Sequence, residues 1–239
     1  MKIIVGKNLE EMSTIAAQHV LSYMYQDRRV NLAITGGTTP EKMYEILVPQ
    51  VKNQTCFSNV HYYNFDEIPY KKEDREGVTI SDLRRYYLDP ANIAEENIHA
   101  LNQYNYKEQD QRIKNDGGLD MIILGIGADG HYCGNLPGTT SFGDMTTRVE
   151  CDQRLKDRIL PEFNYEEEHV PDYYITMGPK SIMMAKNLVL IASGTKKAEI
   201  IQRILQGKVE ESIPASILTM HPNLTIILDE EAASLINYK

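Results

Sequence analysis

Seven short apolar runs, separated by longer amphipathic stretches, restrict what this chain can fold into more than any other feature. The runs are Lys2–Val5, Asn31–Ile34, Val60–Phe65, Met121–Leu124, Tyr173–Met177, Leu188–Ala192 and Leu224–Leu228. They are continuous more than alternating, the pattern of strands covered on both faces. Helical periodicity falls between them, at about 8–26, 40–51, 80–87, 104–115, 195–207 and 229–236. Alternation of this kind implies right-handed crossovers, and so an α/β fold with a mainly parallel sheet flanked by helices. The 239 residues contain no repeat, low-complexity tract or linker-like stretch, so 1–239 reads as a single domain.

Charge and cysteine content narrow the function classes. Twenty-five basic against 34 acidic residues leave a net charge of −9, which argues against nucleic acid as a partner but leaves room for a local anion site. Cys56, Cys133 and Cys151 are odd in number and unclustered, as suits a reducing compartment. No run approaches the roughly 18 apolar residues of a membrane span. The start, MKIIVGKNLEEM, lacks the apolar core of a signal peptide, so the expectation is a cytoplasmic protein without a membrane partner.

In parallel α/β sheets ligands bind at the carboxyl ends of strands, and three predicted strand ends carry chemistry. After Asn31–Ile34 comes Thr35-Gly36-Gly37-Thr38-Thr39-Pro40, running into a helix. The glycines allow close backbone approach, and a helix start offers free N–H groups, so this is either a phosphate cradle or a tight capped turn. After the third run, Asp66 and Glu67 are adjacent acids that point to opposite sides, so at most one faces a given pocket. A carboxylate there is a candidate base for carbon or water, or a solvated pair before Pro69. After Met121–Leu124, five glycines surround Asp129 and His131, where a neutral imidazole can shuttle protons with Asp129 fixing its tautomer.

Other constellations are weaker. Cys133 lacks a nucleophile's context and reads as a packed small residue. The sequence has no HExxH or CxxC, so no metal is expected. His19 reads as partly buried and His169 as surface. Arg154, followed by Lys156 and Arg158, and Lys197 in Ser193-Gly-Thr-Lys-Lys-Ala198 are cations placed to meet an anion. The charged stretch Tyr70–Gly77 reads as a loop or lid and Glu166–Glu168 as a surface turn. Self-association stays open, with Met183–Met184 read as core more than interface.

TGGTTPxxxY, NFDE, GIGADGH, GTKKA and PASILTMHP, in this order and spanning nearly the whole chain, resemble the glucosamine-6-phosphate deaminase and 6-phosphogluconolactonase superfamily. The resemblance implies a modified Rossmann-like sheet and a phosphorylated hexose or hexosamine as substrate. It matches Gly36, Gly37 and Thr38 to a phosphate loop, with Arg154 and Lys197 holding the phosphate. Asp66 matches the deaminase base that moves a proton between C2 and C1, and Asp129 with His131 the pair that assists ring opening. His221-Pro222 matches a late pair for which a structural role is expected. Leu136 stands where deaminases carry a relay Glu, and Ile68 where lactonases carry an Arg. The resemblance therefore implies an isomerase/deaminase, with a lactonase using His131 as general base as the alternative and a non-catalytic sugar-phosphate sensor as a third reading.

Overall fold

The computed structural model describes residues 1–37 and 39–238. Its strands are β1 (Lys2–Gly6), β2 (Val30–Ile34), β3 (Val60–Asn64), β4 (Asp66–Glu67) and β5 (Ile98–His99), followed by β6 (Met121–Leu124), β7 (Thr147–Glu150), β8 (Tyr173–Thr176), β9 (Leu188–Ala192) and β10 (Leu224–Asp229). The α-helices are α1 (Leu9–Met24), α2 (Glu41–Val51), α3 (Val78–Leu83) and α4 (Gln109–Asn115), then α5 (Gln153–Ile159), α6 (Pro179–Met183) and α7 (Ala198–Gln206). Seven strands form a wholly parallel sheet in the order β1-β10-β9-β6-β2-β3-β5. The others form a small antiparallel sheet, β4-β8-β7.

The continuous apolar runs follow from this burial on both faces. In β6, Met121 and Ile123 pack with α1 and α2 residues such as Ala17 and Leu47, while Ile122 and Leu124 face Ile201 and Ile204 of α7. In β9 the same division separates Val189 and Ile191 from Leu188 and Leu190. Each strand residue therefore meets a core, and period-two polarity disappears. On α1, Met12, Ala16, Val20 and Met24 are buried at helical spacing, and Asn8 caps the start by accepting from Glu11 N at 3.0 Å.

Several expectations change. Tyr173–Met177 does not join the parallel sheet; β8 pairs antiparallel with β4 and β7. Its place is filled by β5, whose two residues are too few for a periodic signal. The run Val60–Phe65 splits, because Asp66–Glu67 turns off to pair with β8. Of residues 229–236, Asp229 ends β10 and 230–236 form turns instead of a helix, with the Asp229 carboxylate accepting from Gly194 N and Ala232 N. Helices α5 and α6 are additions. Met183 packs against the core, as read from the sequence, but Met184 is exposed. His169 is half-buried, its ring nitrogens each 2.9 Å from a carboxylate oxygen, one of Glu73 and one of Glu166. No helix of the described residues is long and apolar enough to cross a membrane.

β2 and β6 are neighbours, yet the chain leaves them in opposite directions, β2 toward β3 and β5, β6 toward β9, β10 and β1. The crossovers diverge there and leave a crevice at the carboxyl ends. Asp120, only 2% exposed, pins the other end of the same strands: it accepts from Asn31 N (2.9 Å), Arg28 Nη2 (2.9 Å) and Lys186 Nζ (2.8 Å). Replacing Asp120 by Ala strands a buried N–H and removes three charge-assisted bonds, two from Arg28 and one from Lys186. It is expected to lower stability by about 2 kcal/mol, read as a reduced urea midpoint.

Candidate active site

The crevice holds a cavity of about 340 Å³, within the range of small-ligand pockets. Three strand ends reach it first. From β2 come Thr35, Gly36 and Gly37, and the Thr35 carbonyl accepts from the buried Tyr44 hydroxyl of α2 at 2.7 Å. Gly37 adopts a φ of +89°, a left-handed conformation that glycine takes at no steric cost. Thr38, the third expected member of this loop, lies outside the described residues. From the β3–β4 corner comes Asp66, and from the loop after β6 come Gly125, Gly127, His131 and Cys133.

Asp66 sits recessed at this corner, and Thr79 Oγ1 of α3 donates to its Oδ1 at 3.4 Å. Burial pushes its carboxyl up to about 7, and the Thr79 hydroxyl only partly offsets this. Its neighbour Glu67 points the other way and is fully buried, as alternation along a strand requires. Cys133 lines the pocket near Asp66, and burial raises its thiol well above the ordinary range, so it stays protonated and is no nucleophile.

The loop after β6 folds back on itself, with Gly127 N donating to the His131 carbonyl (2.8 Å) and Gly130 N to the Gly127 carbonyl (2.9 Å). The imidazole is thereby laid against Gly127, where any Cβ would overlap its Nδ1 and Cε1. Asp129 Oδ1 lies 2.5 Å from His131 Nδ1, the arrangement that favours the ring proton on that nitrogen and the lone pair on Nε2, which lies 3.4 Å from Arg158 Nη2. Burial lowers the imidazole pKa and the neighbouring Arg158 and Lys197 add to this, while Asp129 pulls the other way. Burial also acts to raise Asp129, but hydrogen bonds from His131 and Arg158 hold it down at about 2. The pair is therefore a neutral imidazole beside an ionised carboxylate.

Two cations flank the pair, Lys197 in the pocket lining and Arg158 outside it. Lys197, in the short turn after β9, donates to the Ile126 carbonyl at 2.5 Å, and burial lowers its pKa. Arg158 on α5 bonds Asp129 Oδ2 at 2.9 Å and lies 2.9 Å from His131 Nδ1. Arg154 departs from expectation: it is exposed, lies outside the pocket and has Asp152 as its nearest acid at 4.0 Å. Arg154 and Arg158 are four apart on one helical stripe, so spacing alone could not choose between them. Their order along α5 decides, since only its C-terminal end meets the Asp129–His131 pair.

Of the remaining sequence-derived positions, Gly36, Gly37, Asp66, His131 and Lys197 line one pocket, and Asp129 stands directly behind His131. Thr79 was missed, for it belongs to a helix whose sequence carries no site signal. Leu136 is buried with Val149, Leu155 and Tyr174 in an apolar cluster, and Ile68 is an apolar wall of the pocket. His221 is buried and bonds the Ala185 carbonyl at 2.9 Å, a structural role. The Tyr70–Gly77 loop leans on the α5 segment: Lys71 N donates to the His169 carbonyl (3.1 Å), and Tyr70 meets Phe163 edge-on. Among the described residues, no three His, Cys, Asp or Glu side chains gather as a metal site needs.

A family model described as glucosamine-6-phosphate isomerases/6-phosphogluconolactonase matches residues 7–227. A glucosamine-6-phosphate deaminase of Oceanobacillus iheyensis is 36% identical over 246 aligned positions, covering 100% of this chain and 97% of the relative. One from Halalkalibacterium halodurans is 37% identical, covering 97% and 96% respectively. Among solved structures, a monomeric glucosamine-6-phosphate deaminase superposes with a TM-score of 0.84 at 28% identity, covering 99% of this chain and 100% of that one. A 6-phosphogluconolactonase from Trypanosoma brucei gives 0.76 at 17% identity and 99% and 98% coverage, a likeness of fold alone.

Gly127→Ala tests the loop directly. The added methyl displaces the His131 ring by about an ångström, which is expected to cost roughly 100-fold in kcat while far-UV circular dichroism stays native.

Proposed function

The chain belongs to the glucosamine-6-phosphate isomerase/6-phosphogluconolactonase family, and from that premise we propose that it converts glucosamine 6-phosphate to a ketose phosphate and ammonia. The observation that carries this reading is the juxtaposition, in one pocket, of a desolvated carboxylate and a neutral imidazole backed by an ionised acid. Full-length similarity to proteins named glucosamine-6-phosphate deaminases supports the same substrate.

In this reading the substrate phosphate sits on the Gly36–Gly37 backbone with Lys197, and draws Arg158 away from Asp129. His131 accepts the anomeric hydroxyl proton at Nε2 and returns it to the ring oxygen, so the ring C–O bond breaks and the aldehyde forms. Asp66 then takes the C2 proton while the C1 carbonyl oxygen is protonated, giving an enolamine, and delivers its proton to C1 as the nitrogen gives up one of its own, leaving a hydroxyl on C1 and an imine at C2. Water adds to that carbon and ammonia departs, giving the ketose. Residues 1–239 act as one catalytic domain of a cytoplasmic enzyme, and the chemistry calls on no metal or organic cofactor.

The lactonase alternative asks His131 to activate water against an ester carbonyl, which needs no carbon base. Its resemblance rests on the spacing from Asp129-Gly-His131 to Pro137-Gly138. Ile68 weighs against it, because an apolar wall replaces the Arg of the lactonase pattern. Proton NMR in deuterated water separates the two: C2 proton loss from glucosamine 6-phosphate with ketose formation supports the proposal. Opening of 6-phosphogluconolactone above its spontaneous rate, with the amino sugar untouched, overturns it.

Two outcomes follow for Asp66. Asp66→Asn is expected to lower kcat by at least about 1,000-fold, since an amide at this position cannot accept the C2 proton. Because burial raises the Asp66 pKa to about 7, the active carboxylate forms only as pH rises through that value. The kcat/KM profile should therefore climb tenfold per pH unit below about 7, where an ordinary aspartate base would have levelled off near 4.

A further inference from the structure

Glu67, the acid that faces away from the pocket, has the more demanding set of contacts of the two. It is 0% exposed. Its Oε1 accepts from Ile68 N at 2.8 Å and Thr79 N at 2.9 Å, and its Oε2 accepts from Ile80 N at 3.1 Å, with Asn64 Nδ2 at 3.4 Å. Every contact is a donor and both oxygens are in use, so these bonds favour the carboxylate form, against a burial that pushes the Glu67 carboxyl up to about 8. A second feature is built around the same group. A Cβ on Gly77 would overlap Oε1 and the carboxyl carbon of Glu67, so only glycine leaves room for it.

The clamp has a direction. Thr79 is held through its backbone by Glu67, and the Thr79 hydroxyl in turn bonds the Asp66 carboxylate from the pocket side. The same clamp closes the neck of the 69–77 loop, where Val78 N donates to the Ile68 carbonyl at 3.0 Å. A Gln at this position would turn a donor toward an N–H, and an Asp would fall one methylene short.

We infer that Glu67 is a positioning residue for the proton-transfer base, acting through Thr79 to fix the direction and basicity of Asp66. The inference rests on the proposed role of Asp66 and adds to it the device that aims the carboxylate. Such a residue leaves substrate binding nearly unchanged and acts on the proton-transfer step.

The test uses the full-length protein with glucosamine 6-phosphate, kcat and KM measured across pH, each value corrected for folded fraction by thermal melting. Glu67→Gln and Thr79→Val should each lower kcat by about tenfold or more, with KM within about threefold and competition by inorganic phosphate unchanged. Thr79→Val should also move the acidic limb of the profile upward, since it removes a bond to the ionised base, and Thr79→Ser should restore the limb. The double variant should lose no more than the worse single one, because both interrupt one path. Gly77→Ala presses on the same carboxylate while keeping it, and should reproduce the kcat effect if Glu67→Gln fails to fold. Wild-type kcat and pH profile per folded molecule in Glu67→Gln, or in Gly77→Ala if only that variant folds, would overturn the inference, as would losses that multiply in the double variant. Asp66→Asn distinguishes the two layers: an active Asp66→Asn removes the base assignment itself, whereas an inactive one beside a normal Glu67→Gln removes only the role of Glu67.

Discussion

The divergence of the chain at β2 and β6 is the constraint on which the rest depends. Parallel strands present the same end of every β–α connection to one side of the sheet, and right-handed crossovers send those connections to opposite faces on either side of this pair. The pocket lies in the gap between them. The glycine-rich turns after β2 and β6 both open into it, so backbone amides, an imidazole and a lysine from β9 converge without any long-range side-chain search. The Asp120 clamp at the opposite end keeps the two strands in register and so keeps the gap at constant width.

Within that gap the two reactive groups are tuned by different means. Asp66 is desolvated and carries one weak hydroxyl contact, so its proton affinity rises to about 7. Asp129 is bonded to His131 and Arg158 and remains ionised throughout the working range. Two carboxylates of the same chemical type thus take opposite roles, one able to hold a proton and one unable to. The imidazole is kept neutral by burial beside two cations, so it can accept a proton without being already charged.

The small antiparallel sheet links the two halves of the site. β8 pairs with Asp66–Glu67 on one side, while the Thr176 and Tyr174 hydroxyls bond Gly134 in the loop that follows His131. Asn135 donates to the Met177 carbonyl and Met177 N to the Phe65 carbonyl, closing the connection. A strand that reads in the sequence like another member of the main sheet is in fact the brace that joins the Asp66 corner to the loop carrying Asp129 and His131. Glu162, in the segment that follows α5, lines the pocket, and that segment is tied to the 70–77 loop through Tyr70 and Lys71.

Much of this was legible in the sequence because it rests on local chemistry. Continuous apolar runs report burial on both faces, glycines at Gly36, Gly37 and Gly127 report close backbone approach, and Asp66, Asp129, His131 and Lys197 fall at strand ends where parallel topology gathers ligands. What escaped depends on distances between segments far apart in the chain. Arg158 rather than Arg154 meets His131 because α5 approaches by its C-terminal end, and helical spacing is identical for both. Thr79 and the neck of the 69–77 loop acquire meaning only once Glu67 folds back on them across 12 residues. The two-residue strand β5 and the antiparallel pairing of β8 are likewise set by neighbours, since a strand's own side chains specify its faces but not its partner. By itself the sequence determined the layers, the glycine turns and the reactive groups, all encoded in periodicity and residue type. The tertiary structure alone decided which cation, which hydroxyl and which strand complete the site, because those choices are made by packing orientation and not by local pattern.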